Sequence, residues 1–133
     1  MRESLEELFR WLHQHPELGL EEYETTRKLR DVLEAAGIEI LPGELPTGFV
    51  AAIRGAGPGR CIGLREDIDA LPIQEESGLP YQSVHPGRMH ACGHDFHAAS
   101  VMGAALMLHE RRNEWNGTVK VVFQPAEETD KGG

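Results

Sequence analysis

Apolar residues recur at Leu5, Leu8, Phe9 and Leu12, with Glu3, Glu6, Glu7 and Arg10 between them. That is helical spacing, and it predicts a helix over 4–15, stopped by Pro16. Ser4 and Glu7 stand where a capping box would form. After a turn over 16–20, a second helix is expected over 21–36. Leu29, Val32, Leu33 and Ala36 lie on one of its faces, and Gly37 serves as its C-cap. A strand is expected over 38–41, and then Pro42, Gly43 and Pro46 break the chain. The pattern then changes to short apolar runs. Strands are expected over 49–53, 61–64 and 118–123, the last rich in valine. Cys61, mid-strand among apolar residues, reads as core. A nearly apolar run over 98–108 reads as a helix. Strands interleaved with helices imply a layered α/β fold. No internal repeat or low-complexity segment interrupts it.

Composition narrows the class. A chain of 133 residues with 40% hydrophobic and 26% charged residues can bury a real core and folds as one globular unit. A formal net charge of -9 argues against nucleic acid or an anionic membrane surface as partner. Two cysteines, Cys61 and Cys92, are too few for a disulfide framework and fit a reducing cytoplasm. The first ten residues carry acids throughout and have no apolar core of signal-peptide length. The run over 98–108 is too short to span a bilayer.

The densest chemistry lies in Met89-His90-Ala91-Cys92-Gly93-His94-Asp95-Phe96-His97, where nine residues hold three histidines, a cysteine and an aspartate. Cys92 and His94 are two apart. On a helix that spacing would splay them by about 200°, whereas on extended backbone it aims both the same way. They are therefore expected on extended backbone just before a helix that starts near Asp95. A thiolate and an imidazole pointing together begin a divalent metal site. A Cys-x-His pair alone is more often packing or surface, and it gains weight from two acid clusters. The strand over 61–64 delivers Asp67 and Asp69, which share a face if extended. The strand over 118–123 delivers Glu127 and Glu128, whose side chains diverge and so suit different tasks. Sites in open α/β sheets gather at the C-terminal ends of strands. His13 and His15, at the end of the first helix, are expected to be ordinary surface or groove histidines.

The runs Arg65-Glu66-Asp67-Ile68-Asp69-Ala70-Leu71-Pro72-Ile73, then 89–95, then Phe123-Gln124-Pro125-Ala126-Glu127-Glu128 resemble the hippuricase-like branch of the aminoacylase and carboxypeptidase G metallopeptidases. That branch contains hippurate hydrolases, N-acyl-amino-acid amidohydrolases and auxin-conjugate hydrolases. Leu12-His13-Gln14-His15-Pro16-Glu17-Leu18-Gly19 is similar to its N-terminal signature. Four motifs in the family's order cover essentially the whole chain.

The resemblance implies roles residue by residue. Cys92 and His94 would bind metal. Glu127, first of the paired glutamates, would be the general base and acid, and Glu128 would bind metal. Asp69 would support the metal site without binding it, and Asp67 would lie near it. His90 and His97, flanking the motif, are further supporting candidates. Glu66 stands where the family carries a small residue and Phe96 where it carries glycine, which bears on substrate fit. The resemblance also implies that residues 1–133 are the N-terminal portion of a catalytic domain. Its remaining histidine ligands and a smaller lid domain, which serves substrate binding and dimerisation, would follow.

The reading is thus an α/β, partial zinc-peptidase-like catalytic domain, its mixed sheet flanked by helices and its lid domain absent. It implies metal-dependent hydrolysis of the amide bond in N-acyl amino acids or similar small conjugates. Zinc or manganese would serve, two ions in a complete site, with a homo-oligomer left open. Two alternatives are a metal-binding but inactive fragment, and a structural or interaction module that inherits the motifs as scaffold.

Overall fold

The computed structural model describes the backbone of residues 2–129 and the side chains of 5–129. The capping box expected between Ser4 and Glu7 therefore involves a side chain outside the described residues. Helix α1 spans Arg2–Gln14 and α2 spans Tyr23–Ala35. Strands β1 (Glu39–Ile40), β2 (Phe49–Arg54) and β3 (Cys61–Asp67) follow. Helix α3 covers His94–Glu110, a one-turn 3-10 helix covers Arg112–Glu114, and β4 covers Thr118–Gln124.

The four strands form one mixed sheet in the order β1-β2-β4-β3. β2 pairs antiparallel with both β1 and β4, while β3 and β4 run parallel, from Cys61 opposite Thr118 to Asp67 opposite Gln124. Alternation along β2 and β4 turns Phe49, Ala51, Ile53, Val119, Val121 and Phe123 to one face. There they join Leu8 and Leu12 of α1, Leu29 and Leu33 of α2, and Ala98, Met102 and Ala105 of α3 in one core cluster. Phe49 and Phe123, directly opposed across the β2–β4 pair, stack at 4.7 Å. Gly103 lets α1 approach α3, because a Cβ there would lie 2.9 Å from Leu5 Cδ1.

Several boundaries moved for local reasons. α2 begins at Tyr23, two residues later than the pattern suggests. The chain first turns through Leu20 (φ 67°), and the carboxylate of Glu17 then caps the helix, accepting the N–H groups of Thr25 (2.6 Å) and Glu24 (3.2 Å). Gly37 terminates α2 with φ 84°, as the C-cap reading requires. β3 corrects the expectation of a short buried strand. It is three residues longer at its C-terminal end and largely exposed, since among the described residues it pairs only with β4. Cys61 is exposed for that reason and is not a core residue.

Candidate active site

The β3–α3–β4 unit determines where the chemistry gathers. Parallel pairing brings the C-terminal ends of β3 and β4 to the same edge, and α3, returning between them, starts there. An isolated antiparallel bridge between Leu71 and Met89 closes the long connection over 72–88, with reciprocal backbone bonds of 2.9 and 3.0 Å. It draws the segment after β3 alongside the segment that opens α3.

His94 is the first residue of α3, preceded by Gly93 in the left-handed region at φ 82°. This corrects the extended placement of Cys92 and His94. The pair does converge on one site, but through a bend at glycine that a side chain would oppose. His94 is buried, and its Nδ1 lies 2.8 Å from the backbone carbonyl of Asp69 and 3.3 Å from Asp69 Oδ1. Its Nε2 faces three carboxylates: Glu128 at 3.5 Å, Glu127 at 3.7 Å and Asp67 at 3.9 Å. The hydrogen bond to Asp69, outweighing burial, holds the His94 pKa up to about 9. Cys92 is exposed, and its thiol is pushed up to about 11, first by a hydrogen bond to Glu128. Burial and then the charges of Glu128 and Asp67 raise the carboxyl of Glu127 above its ordinary value.

Three carboxylates thus face one imidazole nitrogen, and a thiol lies against one of them, Glu128. Donor atoms of Asp67, His94 and Glu127 all lie within 4.8 Å of one another. Three carboxylates around one imidazole nitrogen carry a surplus of negative charge, and a divalent ion would neutralise it. The donor types suit such an ion. A cation there would also favour the thiolate of Cys92, the form in which cysteine binds metal.

The acids are held firmly. Asp69 is 1% exposed, and its Oδ2 accepts the backbone N–H of Glu128 at 2.8 Å. Asp67 is bound on its other side by Arg65, whose Nη2 lies 2.8 Å from Asp67 Oδ1 while its Nε–H donates to Gln124 Oε1 at 2.6 Å. His90 is buried and neither ring nitrogen has a hydrogen-bond partner; burial lowers its pKa to about 4. His97 stands apart, exposed on α3 beside Phe96.

The reading of His13 as a surface or groove histidine is wrong. His13 is 7% exposed and bridges two buried carboxylates, Nδ1 to Asp95 Oδ2 at 2.8 Å and Nε2 to Glu75 Oε2 at 2.9 Å. It ties α1 to the first turn of α3, next to His94. His15 is half-buried, stacked on Trp11 at 4.4 Å. Glu17, Glu22 and Glu75 are buried acids to which the sequence reading gave no role. Their signal was faint. For Glu22 and Glu75 a partner distant in sequence, Ala126 and His13 respectively, takes part in the burial.

Known proteins resemble this chain in sequence and fold. The chain is 55% identical over 122 residues to an N-acetylcysteine deacetylase of Bacillus subtilis, matching 91% of this chain and 32% of that one. It is 44% identical over 134 residues to an N-acetyldiaminopimelate deacetylase of Lactobacillus helveticus, matching 98% of this chain and 34% of that one. The chain thus spans about a third of the length of these curated relatives. A crystal structure of a Bacillus subtilis dinuclear metal binding peptidase from the M20 family superposes with a TM-score of 0.95 at 53% identity, over 98% of this chain and 36% of that one. Residues 63–133, which include both strand ends and the start of α3, match the model of peptidase family M20/M25/M40. On sequence and fold together, the chain belongs to peptidase family M20/M25/M40.

Proposed function

We propose that residues 1–133 are the N-terminal portion of the catalytic domain of a cytoplasmic, metal-dependent amidohydrolase that cleaves the acyl–amine bond of N-acyl amino acids. The observation that carries this reading is the convergence of Glu127, Glu128 and Asp67 on the Nε2 side of His94, with the Cys92 thiol hydrogen-bonded to Glu128. Relatives named as deacetylases of N-acetylcysteine and N-acetyldiaminopimelate support the substrate class. The solved relative described as dinuclear supports two ions in the complete site, with Cys92 suiting zinc and the carboxylates suiting zinc or manganese.

Cys92, His94 and Glu128 are the proposed metal ligands. A divalent ion there supplies Lewis acidity, which acidifies a water and polarises the acyl carbonyl. Glu127 Oε2, facing the same nitrogen of His94, takes the proton of the attacking water and passes it to the departing amine. Asp69 supports His94 from behind and fixes the backbone of Glu128. Asp67 is the third carboxylate facing His94 Nε2.

The glutamate pair tests the reading. In the full-length protein, Glu127→Gln should retain bound zinc or manganese and keep only a small residual turnover of N-acetyl-L-cysteine, since an amide cannot carry the proton. Glu128→Gln should lose metal first. The opposite pattern would reverse the two assignments.

A further inference from the structure

Glu22 has no part in the chemistry above, yet its side chain is among the most deeply buried in the molecule, at 0% exposure. Its neighbour Glu21 is exposed. A carboxylate leaves water only where its oxygens are taken up by donors, and those of Glu22 are divided between two distant segments. Oε1 accepts the hydroxyl of Thr47 at 3.0 Å, and Oε2 accepts the backbone N–H of Ala126 at 2.7 Å.

Ala126 is the unusual partner. It is fully buried and has φ 54°, in the left-handed region that residues bearing a Cβ rarely enter. Its surroundings are shaped to hold it there. Gly19 lies so close that a Cβ on it would sit 3.0 Å from both Cα and Cβ of Ala126. Gly48, itself at φ 75°, backs onto the preceding Pro125, and its N–H is held by Thr26 Oγ1 at 2.9 Å. Resting on the assignment of Glu127 as base, we propose that Glu22 is a positioning residue that fixes the backbone of Glu127 through the Ala126 amide.

The reason lies in what flanks Glu127. The N–H before it, that of Ala126, goes to Glu22; the N–H after it, that of Glu128, goes to Asp69 at 2.8 Å. Both acceptors are fully buried carboxylates, one at the start of α2 and one after β3. Charge-assisted bonds of this kind are short and directional. The backbone of Glu127 is therefore clamped on both sides while its side chain reaches toward His94 Nε2. The start of α2 is itself anchored, because Glu17 caps it through Thr25 and Glu24. A proton-carrying group displaced by about 1 Å can lose on the order of 100-fold in rate, so a clamp at this place acts on turnover.

The test is a double-mutant cycle in the full-length, manganese- or zinc-loaded protein with N-acetyl-L-cysteine. Glu22→Leu should lower kcat about 10- to 100-fold, with metal content and KM near those of the parent. Glu22→Gln, whose amide oxygen still accepts the Ala126 N–H, should restore most of the loss. In a Glu127→Gln background, Glu22→Leu should lower the residual turnover no further, because the group it positions is already gone. The same fold-loss in both backgrounds, or an unchanged kcat, overturns the proposal. Should Glu22→Leu fail to fold, Thr47→Val takes its place in the cycle: it frees one oxygen of Glu22 and leaves the Ala126 bond. A severalfold loss that vanishes with Glu127→Gln supports the proposal, and an unchanged kcat or an equal loss in both backgrounds overturns it. A fully active Glu127→Gln overturns the assignment of the base itself, whereas a fully active Glu22→Leu beside an inactive Glu127→Gln overturns the role of Glu22 alone.

Discussion

His94 Nδ1 lies 2.8 Å from the backbone carbonyl of Asp69, a group that can only accept a hydrogen bond. The ring proton of neutral His94 is therefore on Nδ1, and the lone pair is on Nε2, facing Glu127 and Glu128. Protein ligands are commonly oriented by such a bond from their second nitrogen. Asp69 thus decides which atom of His94 is offered to a metal, although it lies behind the ring.

Cys92 and Cys61 separate cleanly in an elemental analysis. Both are exposed, so accessibility does not distinguish them. Position does: Cys61 begins β3 and Asp67 ends it, about 20 Å apart at the rise of a strand. Cys92→Ala should reduce bound zinc or manganese sharply, and Cys61→Ala should leave it unchanged. Equal metal content in the parent and Cys92→Ala would remove Cys92 from the ligand set.

The bridge made by His13 should give a pH-dependent share of stability. Burial pulls its pKa down, but the hydrogen bonds to Glu75 and Asp95 outweigh this and raise it above 6.5. The imidazolium's contribution is then complete below pH 6.5 and is lost as pH rises through the raised value. At the acid end, Glu75 is buried but is held below its ordinary value by Ser77 and His13, so its share is lost as pH falls through that lowered value. His13→Gln should cost about 3–5 kcal/mol near pH 6, the penalty for leaving buried charges unpaired. In urea unfolding, the gap between parent and variant should narrow toward pH 9. A gap that stays constant with pH would mean His13 is neutral in its bridge.

How far the sequence carried the fold depends on how local the determinant was. The periodicity of Leu5, Leu8, Phe9 and Leu12, the glycine at 37 and the valines of β4 are local signals, and their elements form where they predict. The exposure of Cys61 is not local. It follows from β3 lying at the end of the strand order, which no property of the run over 61–64 announces. The same distinction holds at the site. Asp67, Cys92, His94, Glu127 and Glu128 lie in compact motifs; the three carboxylates face His94 Nε2, and Cys92 lies beside Glu128. His13, Glu22 and Glu75 take their meaning from partners that only folding supplies, 82 residues away for His13 with Asp95, 62 for Glu75 with His13 and 104 for Glu22 with Ala126.

Glu66 offers a stability gain. It is 3% exposed, its Oε1 has no partner, and burial raises its pKa to about 9. Between pH 4.5 and about 9 the folded chain keeps a proton that the unfolded chain gives up, so the parent loses stability as pH rises across that window. Glu66→Met keeps the volume and removes the orphaned oxygen. It should raise stability at pH 7 by about 1–3 kcal/mol, the cost of an unsatisfied buried polar group, and the gain should grow toward pH 9. A destabilised variant in a urea titration would show that Glu66 has a partner in solution.

The last expectation concerns residues 1–133 by themselves. A catalytic site of this type takes about three protein ligands per metal and an open position for water. Cys92, His94 and Glu128 can supply one such set, so the segment should bind one ion weakly. The solved relative of 53% identity is described as dinuclear, and this chain matches 36% of its length. Positioning of reactants contributes about 7–11 kcal/mol to catalysis, and Glu127 with one weakly held ion supplies little of it. The exposed edge of β3, with Ile62 59% exposed, adds a second expectation, because an unpaired strand edge with apolar side chains invites association. The purified segment should bind zinc or manganese in the micromolar range or weaker, run larger than a monomer on a sizing column, and leave N-acetyl-L-cysteine intact. Metal-dependent hydrolysis by the segment, abolished by Glu127→Gln, would prove instead that residues 1–133 hold a complete site.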